Sequence, residues 1–238
     1  MKPLTKTIIA ICTFSVAMAA LESAVVVYLR ALYYPEEFTV AFRLIDEKIV
    51  LVELAREIAT LVMLGTVGFL SGRNLKERLA YFFLTFAVWD IFYYAWLKVF
   101  IDWPVSIFDW DILVLIPFAW LGPVLAPLIC SLTMILLSLA LLFSPKRVSR
   151  PVWFLLTAGS TFILYTFMRD YGWLIVGNGF LSDYAGILRN PDFISLASGY
   201  KPQPFQWWMF WLGELFILCG VGLQYGGFKG LFKQRPAW

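Results

Sequence analysis

The sequence predicts an all-α fold: a polytopic membrane helix bundle of about six transmembrane helices, with a Pro-rich re-entrant or interfacial segment between the third and fourth. Two observations carry this. Of 238 residues, 61% are apolar and only 15% charged, against roughly 25% charged in a soluble domain. The apolar residues also gather into runs long enough to cross a hydrocarbon core, which takes about 20 residues of helix. Residues 1–238 are read as a single integral-membrane domain.

The first span covers residues 7–29, behind Lys2 and Lys6. Ala17-Met18-Ala19 resembles a signal-peptidase site, but the run continues through Val25-Val26-Val27 to Leu29, so it reads as a helix that spans. Residues 31–48 mix apolar and charged positions, the pattern of an interfacial loop with an amphipathic turn. The second span, 49–70, ends at Ser71-Gly72-Arg73-Asn74, a helix stop and turn. The third, 79–101, carries Asp90 in its middle.

From Asp102 to Pro127 the prolines at 104, 117, 123 and 127 interrupt an apolar sequence. The stretch 112–121 is too short to span, which predicts a hairpin that re-enters or lies at the interface. Residues 125–143 form the fourth span, closed by Ser144-Pro145-Lys146-Arg147, and 152–170 the fifth. Residues 176–205 are rich in Gly, Asn, Asp and Pro, a composition of loop. A loop of that length is expected to serve as a lid over a site or as a docking surface. The sixth span covers 206–224, and a short basic tail follows.

Charge position sets the expected orientation. With six spans and both termini inside, the inner side holds Lys2, Lys6, Arg73, Lys76, Arg78, Lys146, Arg147, Arg150, Lys229, Lys233 and Arg235. The positive-inside rule then predicts a multi-pass protein of the plasma (inner) membrane with cytoplasmic N- and C-termini. Tryptophans at 103, 110, 120, 173, 207 and 208 would line the outer interface.

Ionisable groups inside the spans are the functional signal, because a charge in hydrocarbon is costly and faces a protein interior or a cavity. Glu53-Leu-Ala-Arg56-Glu57 sits within the second span, and spacings of three and four align Glu53, Arg56, Glu57 and Thr60 on one face. At a rise of roughly 1.5 Å per residue, Glu22, Glu53, Glu57, Asp90 and Glu214 all fall in the outer half of the membrane. The expected binding site is therefore Glu22, Glu53, Arg56, Glu57, Asp90 and Glu214. Buried Glu/Arg pairs can also simply lock helices together. The surplus of negative charge favours a site over glue.

Several classes are excluded or left without a signal. No histidine occurs, so a His-ligated haem is ruled out. Cys12, Cys130 and Cys219 lie far apart in apolar runs and form neither a disulfide framework nor a thiolate metal site. Phosphate-binding glycine loops and nucleophile elbows are absent. A net charge of +3 with scattered basic residues gives no nucleic-acid footprint. No cofactor is evident, although carboxylates alone could hold a hard divalent cation. Gly68-x-x-x-Gly72 and Gly222-x-x-x-Gly226 are read as close-packing motifs.

The leading functional expectation is an outward-facing intramembrane acidic cavity that binds or transports a proton, a cation or a small cationic solute. A second is a membrane-embedded enzyme acting on a lipid or other hydrophobic substrate by carboxylate acid/base chemistry, with Arg56 binding an anionic head group. A third is a non-catalytic subunit of a larger membrane complex. The partners implied are the bilayer, the solute and either a second copy of the chain or the other subunits of such a complex.

Overall fold

The computed structural model describes residues 3–33, 47–117 and 119–226. Most of the interfacial loop expected at 31–48, and the basic tail, lie outside the described residues. Seven α-helices and one small antiparallel hairpin make up the described chain: α1 Pro3–Tyr33, α2 Glu47–Ser71, α3 Leu75–Ile101, β1 Trp110–Ile112, β2 Leu121–Pro123, α4 Leu125–Phe143, α5 Arg150–Gly177, α6 Pro191–Ser198 and α7 Trp207–Gly226. Five of these helices, α1, α3, α4, α5 and α7, are long and apolar enough to cross a membrane. The architecture is an all-α bundle of multi-pass membrane character. The remaining long helix, α2, spans 25 residues and concentrates Glu47, Lys48, Glu53, Arg56 and Glu57 in its first half.

Local chemistry explains the helix ends. Asn74 caps α3 by accepting from the Glu77 amide, while Glu77 accepts from the Arg73 amide at 2.9 Å, a reciprocal capping arrangement. Asp102 ends α3 in the left-handed conformation, φ 53°. Pro151 lies in the first turn of α5, where its missing N–H has no helical partner to lose. α1, Pro3–Tyr33, and α5, Arg150–Gly177, run beyond the expected 7–29 and 152–170; Arg30 sits in the last turn of α1, where a cation complements the helix dipole.

α3 lies at the centre, packed against α1, α2 and α4; α7 packs against α4 and α5. Gly68 and Gly72 let α3 approach α2. A Cβ at Gly68 would stand 2.8 Å from the Arg78 carbonyl oxygen, and one at Gly72 would stand 2.4 Å from the Arg78 amide nitrogen. The other small-residue motif does not pack in this way: among the described residues nothing lies within 4 Å of a Cβ at Gly222 or Gly226. The close contact of α7 is instead Gly213 against Gly159 of α5, where each Cβ would meet the other's carbonyl oxygen at 2.8 and 2.6 Å.

The bundle has two distinct ends. At one, Lys76 donates to the Ser144 carbonyl and Gln224 donates to the Lys146 carbonyl at 3.3 Å, joining the α2–α3 turn, the α4–α5 turn and the end of α7. At the other sits the hairpin, with Trp110 opposite Pro123, Asp111 opposite Gly122 and Ile112 opposite Leu121. The 112–121 stretch is therefore the turn of a hairpin and not a helix. Its β2 strand packs on α5, where Trp120 stacks over Phe167 at 6.4 Å and Gly122 abuts the same ring.

Residues 176–205 are not an open loop. They fold into a 3-10 helix, Phe180–Arg189, and α6, which Asn190 caps through the Asp192 and Phe193 amides. Ile187, Phe193 and Ala197 pack with Leu121, Tyr171 and Leu174, and the Tyr184 hydroxyl donates to the Pro117 carbonyl. This layer covers the outer side of the hairpin and reaches α2 through Arg189 and Glu47, 2.7 Å apart.

Candidate functional site

A cavity of about 440 Å³ opens between α1, α2, α3, the hairpin, α4 and α5. Its size falls within the roughly 300–1,000 Å³ of small-molecule sites. Glu22, Glu53, Arg56, Glu57 and Asp90 all line it, so four of the five predicted carboxylates and the predicted arginine share one space. Glu214 does not line it.

Helix geometry places the polar groups at one level. Counted from the hairpin ends of their helices, Glu22 lies about 16 Å below Tyr33, Glu57 about 15 Å below Glu47 and Asp90 about 16 Å below Ile101. α1 and α2 run past their apolar windows at this end, which sets Glu22 and Glu57 deeper than the windows implied; α3 ends at Ile101 as expected, and Asp90 keeps its depth.

Arg56 is the hub. Its guanidinium pairs with Glu53 one turn earlier on α2, at 2.8 Å, and reaches across to Glu22 on α1. Thr60, buried one turn further along the same face, donates to the other oxygen of Glu22 at 2.6 Å. Glu57 turns towards the hairpin, where both of its oxygens lie 3.0 Å from the Leu115 amide nitrogen. Non-helical backbone at such depth is tolerated where protein partners satisfy it and it lines a cavity. The Glu57–Leu115 bond meets that requirement and fixes the hairpin tip against α2.

Two further groups support the polar wall, Asp111 within it and Ser131 behind it, and neither stood in the predicted site. Asp111 on β1, 2% exposed, accepts from Arg30 of α1 at 3.2 Å; the Arg30 guanidinium also lies 3.8 Å from the centre of the Trp103 ring. The one signal for Asp111 in the sequence was a lone acid inside the apolar, Pro-rich stretch. Ser131 of α4 donates to one oxygen of Asp90 at 2.7 Å. No sequence pattern singles out that serine.

Glu214 is held separately. It is 1% exposed on α7, where Thr133 of α4 donates to one oxygen at 2.7 Å and the Cys130 thiol hydrogen-bonds to its carboxyl group. Cys130 itself lines the cavity, so α4 stands between Glu214 and the other carboxylates. Depth along a helix was readable from the sequence. Azimuth around the bundle was not.

Most of the cavity wall is apolar, and Leu61, Phe86, Met134, Ile163 and Leu164 belong to it. Among the described residues the indole N–H groups of Trp89 and Trp120, both lining the cavity, are buried without hydrogen-bond partners, whereas the Asp111 carboxyl also receives the Tyr94 hydroxyl. No residue of the 176–205 layer lines the cavity among the described residues. The 176–205 segment therefore does not cover the cavity as expected of it; it packs on the hairpin, which does line the cavity. Among the described residues no three acidic or cysteine side chains converge to hold a metal ion.

Fold and site together define a multi-pass helical membrane protein with an amphipathic internal cavity. Comparison with known protein families, curated proteins and solved structures finds no match to this chain, so its chemistry is argued from geometry.

Proposed function

We propose that the protein is a membrane-embedded enzyme that takes a lipid-soluble molecule into this cavity and acts on it by carboxylate acid/base chemistry. The observation that carries the proposal is one 440 Å³ space whose wall is mostly apolar and yet carries a group of carboxylates. A site for a bare ion has no use for so much apolar wall, whereas an amphiphile needs both kinds of surface. Asp90 and Glu57 are the candidate proton-transfer groups, since each uses uncharged donors and is not consumed by an ion pair. Glu22 and Glu53 are both paired with Arg56 and hold the wall together. Arg56 is engaged twice, which argues against the anionic head-group role expected for it.

In this reading α2 completes a set of six spans, the termini face the cytoplasm, and the hairpin end faces outward across the plasma membrane. The basic residues of the α2–α3 and α4–α5 turns support that orientation. Lipid extracts from cells with and without the protein should differ in one species, and cells carrying Asp90→Asn or Glu57→Gln should match those without it. Identical extracts in all cases would remove the enzyme reading.

One observation favours a second reading. Five carboxylates, Glu22, Glu53, Glu57, Asp90 and Asp111, face two guanidinium groups, Arg30 and Arg56, around the cavity. Surplus negative charge suits a proton or cation carrier. In proteoliposomes, proton or cation flux that falls at least tenfold in both Asp90→Asn and Glu57→Gln would support transport over enzymatic action.

A further inference from the structure

The charge inventory and the incomplete enclosure of the cavity together narrow the class of molecule it takes, on the reading that it holds a lipid-soluble one. Both guanidinium groups in the wall are committed: Arg56 to Glu22 and Glu53, Arg30 to Asp111 and the Trp103 ring. Among the described residues no other basic side chain lines the space. A phosphate or carboxylate head would therefore meet a wall of five carboxylates with no free cation to receive it. Such juxtaposition of like charge rejects a ligand as surely as a clash.

The unfilled valences in the wall point the other way. Ser131 occupies one oxygen of Asp90, and no hydrogen bond reaches the other among the described residues. The Asp111 carboxyl group is already reached by Arg30 and by the Tyr94 hydroxyl. The open oxygen of Asp90 is an acceptor awaiting a donor. The Trp89 and Trp120 N–H groups add donors in the same wall. A hydroxyl gives and receives and matches both sets; an amine matches the carboxylates.

The entry route follows from exposure. The cavity is not fully enclosed. Leu61 of α2 and Leu164 of α5 both line it, yet they are 46% and 38% exposed, while their chain neighbours in the wall, Thr60 and Ile163, are 4% and 6% exposed. Leu61 lies about 21 Å from the hairpin end of α2 and Leu164 about 20 Å from that of α5, so the two stand at one depth on opposite walls. That depth is past the polar level, among exposed Ile58, Val62 and Tyr165. An opening there faces acyl chains.

We propose that the cavity takes an amphiphile with one apolar chain and a hydrogen-bond-donating, non-anionic head, an alcohol or amine, admitted from the bilayer between Leu61 and Leu164 with its head towards Asp90. Purified full-length protein in phosphatidylcholine proteoliposomes can be irradiated with three photoactivatable probes of one chain length: a hexadecanol, a hexadecylamine and a palmitic acid. The alcohol and amine should crosslink to cavity residues such as Met134 and Leu164 at least tenfold more than the acid. Asp90→Asn should cut amine labelling at least tenfold. Leu61→Trp with Leu164→Trp should abolish cavity labelling by all three, while Leu21→Trp with Leu215→Trp, on surfaces away from the cavity, should leave it intact and shows that added bulk alone is harmless. Acid labelling equal to the others would overturn the head-group class and leave the lipid-soluble reading standing. Unchanged labelling in the Leu61/Leu164 variant would overturn the route. Absence of cavity labelling by any probe would remove the lipid-soluble reading itself.

Discussion

The two flanks of the bundle are held by different physics. On the α1–α2 flank, helices meet through charge: Arg56 joins α2 to α1, and Arg30 joins α1 to the hairpin. On the α5–α7 flank, no ion pair links the two helices among the described residues. Gly159 and Gly213 bring their backbones together, and Phe167, Phe205, Trp207 and Phe210 fill the end of the groove. Lipid is as apolar as leucine, so close packing is what favours helix association there. Charged contacts, by contrast, hold helices apart at side-chain length, and the cavity lies on that flank. The flank that packs closely has no room for a ligand; the flank that pairs charges does.

The largest effect should come from breaking the charged flank. Arg56→Met leaves Glu22 and Glu53 without their counter-ion and should cost about 3–5 kcal/mol, read as the shift in reversible unfolding in detergent–lipid mixtures. Adding Glu22→Gln and Glu53→Gln to that variant should restore most of the loss, because neutral amides no longer need compensation. If the triple variant stays as unstable as the single, charge pairing is not what joins α1 to α2. On the packed flank, Gly159→Ala forces a Cβ to 2.6 Å from the Gly213 carbonyl oxygen and should cost about 1–3 kcal/mol. Gly222→Ala on the same helix as Gly213 meets nothing among the described residues and should be neutral or stabilising by up to about 1 kcal/mol. Equal effects at the two glycines would erase the contrast between a packed flank and an open face.

The fold was largely legible because hydropathy and helix-breaking residues are local signals. Residues 125–143, bracketed by Pro123 and by Ser144-Pro145, fold as α4 with those same bounds. The Gly68 motif packs because its spacing repeats on one face, yet Gly213 packs just as closely against a partner in another helix, and a partner's identity has no local signature. The hairpin is half legible: prolines exclude a helix over 112–121, but three-residue strands carry no period that would name their register. The 176–205 segment hides its helices because Asn190 and Pro191, read locally as turn residues, are also a helix cap and first turn. Within the candidate site, four carboxylates and Arg56 come together as expected because depth follows from residue count. Asp111 and Ser131, and the exclusion of Glu214, depend on which helix faces which.

The smallest predicted effect sharpens the difference between a carboxylate that borders the cavity and one sealed behind it. Ser131 and Thr133 each donate a 2.7 Å hydrogen bond to an acidic side chain, from positions two apart on α4. The bonds are equal in length, and their surroundings are not. Asp90 lines a cavity from which a replacement donor can reach it, so Ser131→Ala should cost only about 0.6 kcal/mol, the average of intramembrane side-chain hydrogen bonds. Glu214 is 1% exposed, and its carboxyl group is reached by Thr133 and by the weakly donating Cys130 thiol. Thr133→Ala leaves it the thiol and should approach the upper end of that scale, about 1.7 kcal/mol. Thr133→Ser, which keeps the hydroxyl, should recover most of it. The two alanine variants measured side by side decide the matter: a Ser131→Ala cost equal to or above that of Thr133→Ala would mean that Asp90 is as sealed as Glu214, and the cavity would lose its polar end.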